Sequence, residues 1–190
     1  MLNIGEKFSK INTCPNFWTK LSLITSLIAA GIYGSAYAAD NQLDYYFSLG
    51  GGIFILISGF FDVVDGSVAR FTNKISKRGS FLDSSYDKIS ESVIYIGIVA
   101  GNLANPITCM IAISLSLLVS YVRARSESLG IPLQGIGIGE RAERLLLLAV
   151  IGMTPIQGSL QWAVILVSVA AGFTLIQRIL EVDKQLSSNA

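Results

Sequence analysis

Six apolar stretches occupy most of this chain, and no other feature constrains its fold so tightly. They run from Phe17 to Ala39, about Tyr45 to Phe71, about Ser80 to Ala104, Ile107 to about Val122, Gly139 through Met153, and from Gly158 to about Arg178. A hydrocarbon core about 30 Å thick is crossed by about 20 residues of helix, and a helix satisfies every backbone N–H and C=O within itself. Of 190 residues, 52% are apolar and 14% charged, against about 25% charged in a soluble domain. The expected fold is therefore an all-α polytopic membrane protein with six transmembrane helices. Spans of that total length leave no room for a second, soluble domain. The chain reads as a single domain, 1–190, divided into an interfacial segment (1–16), a six-helix membrane domain (17–182) and a tail (183–190).

Charge sets the orientation. Leu2, Ile4, Phe8 and Ile11 alternate with Glu6, Lys7 and Lys10, a pattern that suits a short helix lying on the membrane surface. About 16 polar-rich residues precede the first span, and no cleavable signal peptide is expected. With both termini cytoplasmic and six spans, all 14 Lys and Arg fall on the cytoplasmic side, while the outer turns near 40–44, 101–106 and 154–158 hold none. That is the positive-inside distribution. It predicts a multi-pass protein of the cell membrane with its polar clusters gathered at one depth, on the cytoplasmic side. Net charge is +1, and no nucleic-acid partner is expected. Histidine is absent, which disfavours imidazole catalysis and zinc. Cys14 and Cys109 lie far apart, with no C-x-x-C partner, and read as inert thiols.

At the inner ends of the second and third spans the sequence reads DVVDGSVARFTNKISKRGSFLDSSYD, from Asp62 to Asp87. Carboxylates at the edge of an apolar run need partners. Residues three and four apart share a helix face, so Asp62 points with Asp65, and Asp83 with Asp87. A short basic loop, 72–79, joins the two spans as antiparallel neighbours and can bring the pairs together. Four oxygen donors without a soft ligand suit Mg²⁺ or Mn²⁺, in a one- or two-metal arrangement. Such ions commonly serve phosphates. Gly66 and Gly79 allow close backbone approach, Arg70 is a phosphate fork, and one acid can act as a base. Two other readings stay open: a buried network of the acids with Arg70 and Lys88, and the ion path of a small ion-coupled transporter.

The pattern D-x2-D-G-x2-A-R-x8-G-x3-D-x3-D, eight fixed positions over 26 residues, resembles the signature of the CDP-alcohol phosphatidyltransferase family, membrane enzymes with six transmembrane helices. Pro15-Asn16-x-x-Thr19 at the start of the first span extends the resemblance. It implies a CDP-activated lipid as donor, an alcohol as acceptor and CMP as leaving group. Asp62, Asp65, Asp83 and Asp87 would hold two divalent ions, with Asp87 also the catalytic base. Gly66, Arg70 and Ser76 would touch the CDP moiety, and Asn16, Phe17, Trp18 and Thr19 would close over it. Homodimers are common in the family, so a homodimer is expected by resemblance.

The acceptor is read from arginines. Arg123, Arg144 and Arg178 come from three helix ends at one expected depth, with Arg125 and Arg141 nearby. Beside a metal site, such a group favours a second anion, a phosphorylated acceptor. The strings Ser120–Glu127, Glu140–Leu145 and Gln177-Arg178 resemble the inositol-phosphate branch, the phosphatidylinositol phosphate and archaetidylinositol phosphate synthases. By that resemblance the three arginines grip the phosphate of inositol phosphate, although lysine often stands where this chain has Arg123. The expected reaction is phospholipid synthesis: transfer of an archaetidyl or phosphatidyl group from CDP-lipid to 1-myo-inositol phosphate. Glycerol 3-phosphate is the alternative acceptor, and serine a further one. The donor's tails, archaeol or diacylglycerol, are not distinguished, with a lean towards archaeol.

Overall fold

The computed structural model describes residues 2–11, 14–38, 43–74, 76–133, 136–137 and 139–188. It is all-helical, as expected. The helices are α1 (Leu2–Ser9), α2 (Pro15–Ser35, continued by a 3₁₀ turn at Ala36–Ala38), α3 (Asp44–Phe71), α4 (Lys77–Ala100), α5 (Pro106–Ser128), α6 (Arg141–Gly152) and α7 (Ser159–Ser188). Among the described residues, four stretches are long and apolar enough to cross a membrane: Pro15–Ala38, Asp44–Phe71, Pro106–Ser128 and Ser159–Ser187. This is a multi-pass membrane protein. The other two expected spans differ for separate reasons. α4 is long enough, at 24 residues, but Lys77, Arg78, Asp83, Asp87, Lys88 and Glu91 charge the stretch from 77 to 91. α6 has 12 residues, about 18 Å of helix at 1.5 Å per residue, against about 30 Å of hydrocarbon.

The helix starts follow local chemistry. Pro15 opens α2 after an extended Cys14, where its missing N–H is no loss. Ser76 caps α4, its hydroxyl accepting from the Gly79 N–H at 3.0 Å. Asn105 caps α5 through its side-chain oxygen, which accepts from the Ile107 N–H at 2.8 Å. At α6, Glu143 reaches back to accept from the Glu140 N–H at 3.0 Å.

The chain packs as two compact units, Met1–Leu103 and Ala104–Ala190. In the first, α2 lies against both α3 and α4, and α1 rests on α3. Three serines fasten α2 to α3: Ser22 donates to the Ser58 carbonyl at 3.0 Å, and the Ser26 and Ser58 hydroxyls meet at 2.7 Å. Interhelical hydroxyl bonds of this kind take the place of a hydrophobic driving force that lipid does not supply. Gly97 lets α4 approach α2 closely, since a Cβ there would stand 2.6 Å from the Ala30 Cα. α1 is fixed by Phe8, whose ring meets Trp18 edge-on at 5.3 Å between centroids; Trp18 itself is buried with Val64 and Val68.

In the second unit α7 packs on α5 and α6. The connection from α5 to α6 is pinned where described: Ser126 donates to the Ile131 carbonyl at 2.6 Å, Leu133 is buried, and the Gly139 N–H donates to the Thr174 hydroxyl at 2.8 Å. α7 does not stop near Arg178. It runs on to Ser188, because no Gly or Pro interrupts residues 173–188 and Gln185 donates to Glu181 at 2.7 Å, one turn earlier.

Candidate active site

The acid motif straddles the last turns of α3 and the first turns of α4. Carboxylate oxygens of Asp62, Asp83 and Asp87, all half-buried, lie within 4.8 Å of one another. A hard divalent ion takes oxygens at about 2.0–2.6 Å, so three oxygens this close can share one. The oxygen-only donor set fits such an ion on its chemistry. Asp65, expected as the fourth member, does not join this trio. It is buried, and its Oδ2 accepts a hydrogen bond from the Thr19 hydroxyl of α2.

Beside the trio is a cavity of about 310 Å³. Its walls are Asp62, Asp65, Gly66, Ala69 and Arg70 on α3, Pro15 and Asn16 on α2, and Lys74, Ser76, Gly79, Ser80 and Asp83 around the start of α4. The glycines shape it. At Gly66 a Cβ would stand 3.3 Å from Arg70 Nη1, so the guanidinium folds back over a position that must stay small. At Gly79 a Cβ would meet Ser76 Oγ at 3.1 Å and Asn16 Oδ1 at 3.5 Å, which brings α2 and the α4 cap to one point. The cavity lining thus combines carboxylates with Arg70, Lys74 and a helix N-terminus. That combination can receive a phosphate and the cation that accompanies it.

Four of the seven residues that the resemblance assigns to the donor line this cavity: Asn16, Gly66, Arg70 and Ser76. Phe17, Trp18 and Thr19 do not, for three reasons. Phe17 is 43% exposed, Trp18 is core, and Thr19 is turned to Asp65. Asp87 lies one turn along α4 from Asp83, within the trio but outside the cavity lining. Lys74 and Ser80 were missed by the sequence reading. Both fall among the motif's spacer residues, and only the basic character of the loop hinted at Lys74.

The second unit holds the arginines, and they are not equivalent. Arg144 and Arg178 are each 2% exposed. Arg144 Nη1 donates to the Gly139 carbonyl at 2.6 Å. Arg178 donates from Nε to the Ile136 carbonyl at 2.9 Å and from Nη1 to the Val119 carbonyl at 3.1 Å, and its Nη2 faces Glu140 Oε1 at 3.6 Å. Arg123 is more open: its Nε donates to Glu127 Oε1 at 3.0 Å, and its side chain is 38% exposed. The charges of Arg123 and Arg144 both act on Arg178, so the three do share one neighbourhood.

Known proteins resemble the chain over most of its length. It is 36% identical over 166 residues to the archaetidylinositol phosphate synthase of Methanothermobacter thermautotrophicus, covering 86% of this chain and 82% of that one. It is 33% identical over 177 residues to the phosphatidylinositol phosphate synthase of Streptomyces avermitilis, covering 85% and 71%. The fold matches that of the Mycobacterium tuberculosis phosphatidylinositol phosphate synthase, solved with CDP-DAG bound, at a TM-score of 0.77 and 23% identity over 95% of this chain and 92% of that one. The same enzyme solved with manganese and citrate matches at a TM-score of 0.76 and 24% identity, over 95% and 87%. The model of the CDP-alcohol phosphatidyltransferase family covers residues 12–175. With its acids, its cavity and its relatives all pointing one way, the chain belongs to that family.

Proposed function

We propose that this membrane phosphotransferase moves a phosphatidyl-type group, archaetidyl or diacylglycerol phosphate, from a CDP-lipid to inositol phosphate and releases CMP. The observation that carries the reading is the cavity whose lining joins three motif aspartates, Asp62, Asp65 and Asp83, to Arg70, Lys74 and two glycines. Relatives named for inositol-phosphate lipid synthesis, at 36% and 33% identity, support the acceptor.

Asp62, Asp83 and Asp87, with Asp65 behind them, would hold divalent metal, Mg²⁺ or Mn²⁺, as two ions in the full arrangement. Bound there, such ions neutralise charge on a pyrophosphate and on its leaving phosphate. Arg70 and Lys74 bind the donor's phosphates, and the Ser76-capped start of α4 adds backbone N–H groups. Asn16, Gly66 and Gly79 set the floor on which the CDP moiety rests, with Phe17 and Trp18 fixing the start of α2. Asp87 accepts the proton of the attacking inositol hydroxyl. The oxygen of that hydroxyl bonds to the lipid-linked phosphorus as the bond to CMP breaks. Arg123, the most open of the three arginines, makes first contact with the acceptor's phosphate, and Arg144 and Arg178 complete the grip.

The same reading covers what surrounds the site. Residues 1–190 act as one transferase domain with six membrane-embedded helices, α4 and α6 among them, despite the charge of one and the shortness of the other. Both termini and the active site face the cytoplasm at the cell membrane, and the enzyme works as a homodimer. Label transfer from CDP-lipid to inositol phosphate, glycerol 3-phosphate and serine in membranes carrying the protein tests the acceptor. Product is expected with inositol phosphate, at a rate at least about tenfold above that with serine, which lacks the phosphate and so forgoes a good charged contact. Transfer to glycerol 3-phosphate alone would replace the acceptor and leave the chemistry intact.

A further inference from the structure

We infer that Thr19 is a positioning residue of the metal site: its buried hydroxyl ties down one oxygen of Asp65 and leaves the other for the cavity. This rests on the reading of Asp62, Asp65, Asp83 and Asp87 as metal-holding residues. It departs from the donor contact that the resemblance implies for Thr19.

Both partners are buried, Thr19 4% exposed and Asp65 7%. Thr19 Oγ1 donates to Asp65 Oδ2, while its distance to the Pro15 carbonyl, the helix's own acceptor, is 3.4 Å. The next hydroxyls along α2 are otherwise engaged: Ser22 and Ser26 with Ser58, and Thr25 with the Ser22 carbonyl at 2.8 Å. Thr19 thus reaches from α2 to an acid of the motif. Asp65 lines the cavity, and the charges of Asp83 and Asp62 act on it. Held by Oδ2, it keeps one fixed oxygen beside the trio. Hydrogen bonds that orient ligating carboxylates are known to set metal affinity by about 10- to 100-fold.

The test is Mn²⁺ binding by the full chain purified in detergent, with unbound Mn²⁺ measured by electron paramagnetic resonance and no lipid substrate present. Thr19→Val is expected to weaken Mn²⁺ affinity about tenfold or more, and Thr19→Ser to stay within about twofold of the parent. On an Asp65→Asn background, Thr19→Val should add nothing, since the bond it removes has already lost its charged partner. Thr19→Ala removes the same hydroxyl with less bulk and gives the same pattern should valine disturb packing. Unchanged Mn²⁺ affinity in the valine or alanine variant would overturn the inference. So would losses that add fully in the double variant. Because binding is read without turnover, a protein that shows this pattern yet transfers nothing to inositol phosphate would sink the functional reading and leave the Thr19 role standing.

Discussion

At the scale of single residues, the arginines of the second unit differ in how much of each side chain the fold itself already uses. Arg178 spends two donors on backbone carbonyls, at 2.9 and 3.1 Å, and is 2% exposed. Removing it takes the side-chain donor from the Ile136 carbonyl and the second donor from the Val119 carbonyl inside α5, and hydrogen bonds from a charged donor are worth about 1.5–3 kcal/mol each. Arg178→Gln should therefore lower the thermal midpoint of the detergent-purified protein by several degrees. Arg123 has an exposed partner in Glu127, one turn away on α5, and exposed pairs contribute about 0–1 kcal/mol. Arg123→Gln should leave the midpoint within about a degree and raise the KM for inositol phosphate without a comparable fall in kcat. Equal loss of stability in the two variants would erase the distinction. From sequence the three arginines looked alike. What separates them is the placing of the Ile136 and Gly139 carbonyls, which receive Arg178 and Arg144 and carry no residue pattern of their own.

At the scale of elements, the expected helices were legible wherever apolar runs and caps agreed. Pro15, Asn105-Pro106 and the Glu140/Glu143 pair mark starts that the fold keeps. The ends were harder. α7 passes Arg178 without a break because polarity alone does not stop a helix; a residue that resists helical geometry does. The proposed orientation of α2, with its start on the cytoplasmic side, can be measured. Cys14 stands exposed just before α2, whereas Cys109, near the start of α5, is buried. A membrane-impermeant maleimide should label the protein once, at Cys14, in inside-out vesicles, and leave right-side-out vesicles unlabelled. Labelling from the outer side would reverse the proposed topology.

At the scale of the whole molecule, the sequence carried the chemistry further than the geometry. The eight-position motif pointed to the family, and the structure gathers Asp62, Asp83 and Asp87 as the helical spacing required. Asp65 shares a face with Asp62, yet Thr19, 46 positions earlier, decides where its carboxylate rests. A contact between helices so far apart in the chain leaves no trace in local periodicity. The same holds for Trp18, which sits in an apparent donor motif but serves the core beside Val64 and Val68. In the proposed reaction these acids run a metal-dependent transfer from a CDP-lipid. Its most direct test is CMP release by the purified protein, supplied with CDP-lipid, inositol phosphate and Mg²⁺ or Mn²⁺. Release should require the divalent ion and the acceptor together, stop with a chelator, and fall by about 10²- to 10⁴-fold in Asp87→Asn. CMP release that survives the chelator, or that proceeds at the parent rate in Asp87→Asn, would contradict it.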